Sequence, residues 1–278
     1  MRARTRSSYG RAMTDTESFQ LSLDTARAYE ATFVPAIFAE WAPHTVAAAG
    51  VGPGQTVVDV ACGTGIVARH ALDIVGANGT VIGVDLNDAM LTVAADVEPD
   101  VDWRSGDVTA LPVDDASADA VTCQMAFMFF PDRLAAFAEL GRIVRPGGRI
   151  AVTVPAALDR QPAYRPFVDA AARHAGPDAV SLLSTYWSCG DLTALGAEAE
   201  RAGLQIIEQR TRTGTCGFES PAAFVETEVN ASPLAERVTP TALDAITADV
   251  AGELMAKADG QPFGVPLVGH LLTLASGR

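Results

Sequence analysis

The stretch that decides the fold is VVDVACGTGIVARH, from Val57 to His70. An apolar run rises to an acid, Asp59, and breaks at a turn that holds Gly63 and Gly65. A helix-forming segment follows at once. Glycine accepts positive φ and lets a ligand approach the backbone closely, so this turn suits a ligand. In a doubly wound sheet the ligand lies beyond the carboxyl ends of the strands, at the point where strand order reverses.

Outward from this turn, short apolar runs alternate with helical ones. TVVDVA, TVIGVDL, VDWRSGD, DAVTCQMAF and RIAVTVP read as strands. GIVARHALDIV, NDAMLTVAADV (N-capped by Asn87) and DRLAAFAELGRIV (closed by RPGG) read as helices. Upstream, Tyr29, Phe33, Ile37, Phe38 and Trp41 recur at roughly helical spacing, with Pro35 kinking or dividing the segment. Downstream come two helices and the loop STYWSCGDL, the strand GLQIIEQRT, two further helices and a last apolar strand, PLVGHLLTLAS. The alternation predicts an α/β fold: a doubly wound parallel sheet covered by helices on both faces. N-terminal helices and a helical insertion after the fifth strand complete it. One domain is expected over 14–278: helical cover 14–50, cofactor-binding core 51–155, acceptor-side insertion 156–203, and the remaining sheet and helices 204–278. Residues 1–13, with four arginines, read as a disordered tail.

The formal net charge of -14 and pI near 4.6 argue against a nucleic-acid backbone or anionic lipid as partner. Base-flipping amino methylases carry an [ND]PP[YF] segment after the fourth strand, where this chain reads CQMA. Cys62, Cys123, Cys189 and Cys216 are scattered without CxxC or metal spacing. No metal site is expected, and a reducing, cytoplasmic location is. No apolar run reaches the ~20 residues of a membrane span.

Two ligand classes fit the glycine turn. Gly63-Thr64-Gly65-Ile66-Val67-Ala68 satisfies the dinucleotide pattern GxGxxA, and Asp85 follows where a ribose-binding acid belongs. That supports an NAD(P)-dependent oxidoreductase. Two other acids point elsewhere. Asp59, just before the glycines, would repel a pyrophosphate but hold an amino-acid ammonium group, directly or indirectly. Asp107, after the third strand, would reach an adenine amino group, with Val108 beside the ring. A turn cap at Asp59 and an Asx-turn at Asp107 are the purely structural alternatives.

The sequence resembles the class I S-adenosylmethionine-dependent methyltransferases, most of all the small-molecule branch with the ubiquinone and menaquinone methyltransferases. DVACGTG, VIGVDLNDAML, GDVTALPVDDASADAV and FFPDRLAAFAELGRIVRPGGRI carry the resemblance, over about Tyr29 to Val154. It departs from the family where a glycine often stands and this chain has Ala61. The resemblance implies a Rossmann-like, doubly wound, mostly parallel seven-stranded sheet with the last strand antiparallel, S-adenosylmethionine as cofactor and S-adenosylhomocysteine as product. Asp59, Ala61, Gly63 and Gly65 would face the methionine part. Asp85 would hold the ribose, Leu86 or Met90 would flank the adenine, and Gly106, Asp107 and Val108 would meet its edge. Gln124 would lie near the methionine end, and Tyr29 would close over the cofactor. A SAM-binding protein that does not methylate would keep the same motifs.

Methyl transfer from a sulfonium needs alignment and exclusion of water more than it needs a named catalytic group. A base is required only for a protonated acceptor. His174, in the insertion, is the candidate, ahead of His44, His70 and His270. Met125, Phe129 and Phe130 are candidates for an apolar acceptor wall, and Tyr164, Tyr186 and Trp187 for a lid. These imply a small, apolar or aromatic acceptor methylated at O, N or C, with a homodimer through the leading helices as a further possibility.

Overall fold

The computed structural model describes residues 21–258 and 264–277. The expected tail over 1–13 and the start of the helical cover lie outside the described residues. A seven-stranded sheet runs in the order β3-β2-β1-β4-β5-β7-β6. The strands are β1 (Thr56–Val60), β2 (Thr80–Asp85), β3 (Asp102–Ser105), β4 (Ala118–Gln124), β5 (Val144–Pro155), β6 (Leu204–Cys216) and β7 (Val265–Ser276). The first five are parallel, and β7 runs antiparallel to both β5 and β6. Strand order reverses between β1 and β4, so the carboxyl ends of these two strands flank the switch point.

Helices α3 (Ile66–Val75), α4 (Asp88–Val97) and α5 (Arg133–Ile143) cross between the parallel strands. Val57, Val58 and Val60 are buried on both faces of the sheet, as a central parallel strand requires. Asn87 caps α4 by accepting from the Ala89 N–H at 2.9 Å. The insertion is more helical than expected. It holds α6 (Tyr164–His174), α7 (Pro177–Tyr186) and α8 (Leu192–Arg201), and α7 takes in the start of the segment read as a loop. Ser184, Thr185 and Tyr186 have no helix-forming preference of their own; burial of Leu182, Leu183 and Thr185 carries the helix through them. Helices α9 (Pro221–Asn230) and α10 (Pro240–Ala258) precede β7.

The leading segment comprises α1 (Leu23–Ala28), a π-helical run Tyr29–Phe38 and α2 (Ala39–Ala48). Pro35 lies inside the π-helical run. Proline has no N–H and clashes with the carbonyl four residues back, and the wider turn accommodates both defects. Trp41, fully buried, seats this cover on the sheet. A Cβ on Gly269 would lie 2.5 Å from the Trp41 ring and one on Gly214 3.2 Å, so the two glycines make its slot. The Arg212 guanidinium stands 5.3 Å from the ring centroid and pairs with Glu40 at 2.8 Å. Among the described residues no helix is long and apolar enough to cross a membrane.

Gly269→Ala should therefore push Trp41 from its slot and lower stability by about 1–3 kcal/mol. Urea unfolding followed by tryptophan fluorescence checks this, and an unchanged midpoint would contradict the seating of the cover.

Candidate cofactor and acceptor site

The glycine turn is built around two carboxylates. Asp59, 1% exposed, accepts from Thr122 Oγ1 at 2.7 Å and from the Ala68 N–H at 3.2 Å. It thus ties β1 to β4 and fixes the first turn of α3, so it shapes the site rather than facing it. Burial is the main cause that pushes its carboxyl up to about 7, against the lowering effect of both hydrogen bonds. Asp85 ends β2 and spans the gap to the turn. It accepts from the Gly63 N–H at 2.8 Å and from the Asn87 N–H at 2.8 Å. Burial raises its carboxyl too, offset in part by these N–H donors.

The two glycines do different jobs. Gly65 has φ +90°, and a Cβ there would lie 2.2 Å from the Trp103 ring. The Trp103 ring fills the space where a side chain would stand, so no larger residue fits at this turn. Gly63 has φ +55°, and a Cβ there would lie 3.7 Å from the Tyr29 hydroxyl. Tyr29 therefore stands over Gly63, stacked on Phe38 at 5.3 Å. Its phenol is raised well above the usual range, chiefly by burial and then by the nearby Asp85. Arg69 braces the same corner, donating to the Thr64 carbonyl at 2.7 Å and to Glu30 at 2.9 Å. Sequence reading had singled out neither Arg69 nor Glu30; their pairing spans 39 residues.

Ala61, the departure from the family pattern, sits at φ 53°. Met125, at the end of β4, sits at φ 52°. Left-handed backbone is costly for both, and it lies at the carboxyl ends of the two switch-point strands, where stored strain commonly accompanies a site.

Other expected positions fall as follows. Leu86 is 55% exposed beside Asp85, an apolar surface open to a ring. Gly106 donates to the Asp85 carbonyl at 3.0 Å, and its α-carbon lies against Pro112. Asp107 is exposed and accepts from the Thr109 N–H and hydroxyl through one oxygen, Oδ1, which lowers its carboxyl. Val108 is half-buried beside it. Met90 is not at an adenine face: it is 4% exposed and packs with Leu21, Ala26 and Val93, because α4 buries this stripe under α1. Gln124 is not free for the methionine end. Its amide donates to the Phe38 carbonyl at 3.1 Å and accepts from Thr45 at 2.8 Å, fastening the helical cover to β4.

On the acceptor side, Tyr186 meets Phe129 edge to face at 5.7 Å, and both are half-buried. Met125 is buried four residues before Phe129, and Phe130 packs on the fully buried Phe127 at 5.0 Å. Tyr164 and Trp187 do not form an outer lid. They are 4% and 9% exposed and pack on each other at 5.1 Å, with Tyr164 also against Phe224 at 5.1 Å. His174 is not at the site. Its Nε2 lies 2.8 Å from Asp249 Oδ2, which also pairs with Arg173 at 2.8 Å, in a polar surface cluster joining α6 to α10. His270 is a structural histidine, held by Thr211 at Nδ1 and the Gly190 carbonyl at Nε2. The buried titratable group that the sequence left unmarked is Glu228 on α9, 3% exposed, and burial pushes its carboxyl up to about 8. The available signal was one acid four residues after Phe224, on the helix face that buries Val225 and Val229.

A family model described as a methyltransferase domain matches residues 58–152. The chain is 38% identical over 127 residues to the demethylmenaquinone methyltransferase of Renibacterium salmoninarum, a match covering 46% of this chain and 51% of that one. It is 30% identical over 184 residues to the demethylmenaquinone methyltransferase of Mycobacterium sp. strain KMS, covering 63% of this chain and 78% of that one. The chain thus spans about half the length of the first relative and over three quarters of the second. Phosphoethanolamine N-methyltransferase 2 of Haemonchus contortus, solved with S-adenosyl-L-methionine, shares the fold. Its TM-score is 0.58 at 17% identity, over 92% of this chain and 58% of that one. The chain belongs to the class I S-adenosylmethionine-dependent methyltransferases. The dinucleotide reading of GTGIVA gives way to this membership.

Two consequences are measurable. Ala61→Gly relieves left-handed strain and should stabilise the fold by about 0.5–1 kcal/mol, after the added freedom of the unfolded chain is deducted. Urea unfolding reads it, and a loss of stability would show that the alanine methyl is needed. Asp59 gives up its proton near 3.8 when unfolded and near 7 when folded. The folded state therefore holds the extra proton between those values. Its contribution is complete below about pH 4 and is lost as pH rises through about 7. Asp59→Asn should flatten the fall in stability over that window; an unchanged slope would contradict the burial of a titrating Asp59.

Proposed function

We propose that this chain methylates a small, apolar or aromatic organic acceptor at an O, N or C atom, using S-adenosylmethionine. The observation that carries the reading is the junction of Asp85 with the Gly63 N–H beneath the Tyr29 hydroxyl, at the switch point of the sheet. A nucleoside fits this junction. Asp85 has oxygens that would accept from both ribose hydroxyls, Leu86 offers an exposed apolar face, and Asp107 retains an acceptor for an adenine amino group. Gly63 and Tyr29 would take the methionine end. When bound, the cofactor supplies a methyl group on a sulfonium, which leaves without help from an acid.

The chain's own residues then bind, align and exclude water. Tyr29, Phe33 and Phe38 form the apolar cover over the glycine turn. Met125, Phe129 and Tyr186 are the acceptor-side wall in this reading. The division into cover 14–50, core 51–155, insertion 156–203 and remainder 204–278 is carried with it. The two relatives named as demethylmenaquinone methyltransferases support an aromatic acceptor. A cytoplasmic location is part of the proposal, supported by four buried free thiols.

Calorimetric titration with S-adenosylmethionine, S-adenosylhomocysteine and NAD(H) tests the reading. Both adenosyl ligands should bind and NAD(H) should not; binding of NAD(H) alone would overturn it. Asp85→Ala should weaken the adenosyl ligands by about 1.5–3 kcal/mol, roughly tenfold to a hundredfold, through lost ribose hydrogen bonds. Unchanged affinity in the folded variant would remove Asp85 from the site.

A further inference from the structure

Two buried polar atoms at the glycine turn have no hydrogen-bond partner among the described residues: Glu30 Oε2 and the Thr64 hydroxyl. One guanidinium holds both residues. Arg69 Nη1 donates to the Thr64 carbonyl at 2.7 Å, and Nη2 donates to Glu30 Oε1 at 2.9 Å. Adjacent nitrogens of a rigid fork thus bring the Glu30 carboxylate to the turn and leave its second oxygen unused. Thr64 follows Gly63, over which the Tyr29 hydroxyl stands, and Glu30 follows Tyr29 on the cover. The corner is not sealed core. The Glu30 and Arg69 side chains are 20% and 18% exposed, and Tyr29, Ala61 and Gly63 are half-buried around them.

An unpaired carboxylate oxygen under cover is costly, and an ionised carboxylate can only accept. The partner it calls for is a donor, best of all a cationic one. An ammonium group is such a donor, with three protons to share between the carboxylate and the Thr64 hydroxyl. Asp59, the acid that the sequence suggests for that role, already holds Thr122 and the Ala68 N–H from inside the sheet. We infer that Glu30 Oε2, together with the Thr64 hydroxyl, receives the ammonium group of the cofactor's methionine end. Arg69 is the positioning residue that aims the carboxylate. This rests on the methyltransferase reading above and adds to it the residues that recognise the amino group. It also gives the cover a reason to close. Glu30 rides on the same run as Tyr29, Phe33 and Phe38, so an ammonium held by Glu30 draws these rings onto the glycine turn.

The test sets protein variants against three ligands by calorimetric titration. The ligands are S-adenosylhomocysteine, its deaminated analogue with hydrogen in place of the amino group, and methylthioadenosine, which lacks the whole amino-acid end. Wild-type protein should bind the deaminated analogue about 10- to 100-fold more weakly than S-adenosylhomocysteine. Glu30→Gln should weaken S-adenosylhomocysteine by about tenfold or more, yet hold the other two ligands within about twofold of wild type, so that the two losses do not add. Glu30→Asp keeps the charge and shortens its reach by one methylene; it should fall between the two on S-adenosylhomocysteine alone. Methylthioadenosine binding reports an intact nucleoside site, and if Glu30→Gln lacks it, Glu30→Asp decides. A variant that loses S-adenosylhomocysteine and the deaminated analogue equally would assign Glu30 to the build of the cover alone. Unchanged S-adenosylhomocysteine affinity in the variants, or a wild type indifferent to the amino group, would also overturn the inference. Failure of the wild type to bind S-adenosylhomocysteine at all would instead overturn the methyltransferase reading.

Discussion

The buried Asp59 carboxylate is the constraint on which the site depends. One oxygen holds Thr122 on β4 and the other holds the first turn of α3. These bonds fix the switch-point strands in register and aim the glycine turn. A carboxylate is costly to bury, and it is retained because two donors meet it where an apolar side chain would leave both unmade. From that fixed turn, Gly63 presents its N–H to Asp85, and Tyr29 can stand over Gly63. Trp103 then closes the back of the turn against Gly65 and Gly83.

The helical cover is held by a separate set of contacts. Trp41 occupies a slot made by glycines on β6 and β7, while Thr45, Gln124 and Thr153 join α2 to the ends of β4 and β5. The chain therefore spends polar side chains near the site on architecture. What remains open at the carboxyl ends of the strands is small: the lone pairs that Asp85 keeps beyond its two N–H donors, the exposed Leu86 and the second oxygen of Asp107. The left-handed backbone at Ala61 and Met125 is tolerated because the surrounding strands determine it.

Much of this was legible in the sequence because its signals are local. The strand–turn–helix of Val57–His70 and the acid ending β2 lie within a short span, and the parallel sheet follows from their repetition. The family motifs add the placement of Asp107. What could not be read depends on contacts between distant segments. Gln124 follows β4 as a binding residue would, yet Phe38, 86 residues away, takes its amide. His174 has the right type in the right segment, but Asp249, 75 residues on, draws it to the surface. Met90 matches a motif position and is buried by a helix whose docking no periodicity reveals. Glu228 was hidden for the opposite reason: one acid in an unremarked helix stands out only when folding buries it with Phe224, Val225 and Val229.

The central claim is that the Asp85–Gly63 junction under Tyr29 receives the adenosyl cofactor. A crystal structure of the protein with S-adenosylhomocysteine tests it most directly. The account predicts ribose hydroxyls on Asp85, adenine between Leu86 and Val108, and the amino-acid end beside Gly63 beneath Tyr29. A nucleoside bound elsewhere, or a ribose that leaves Asp85 untouched, would contradict it.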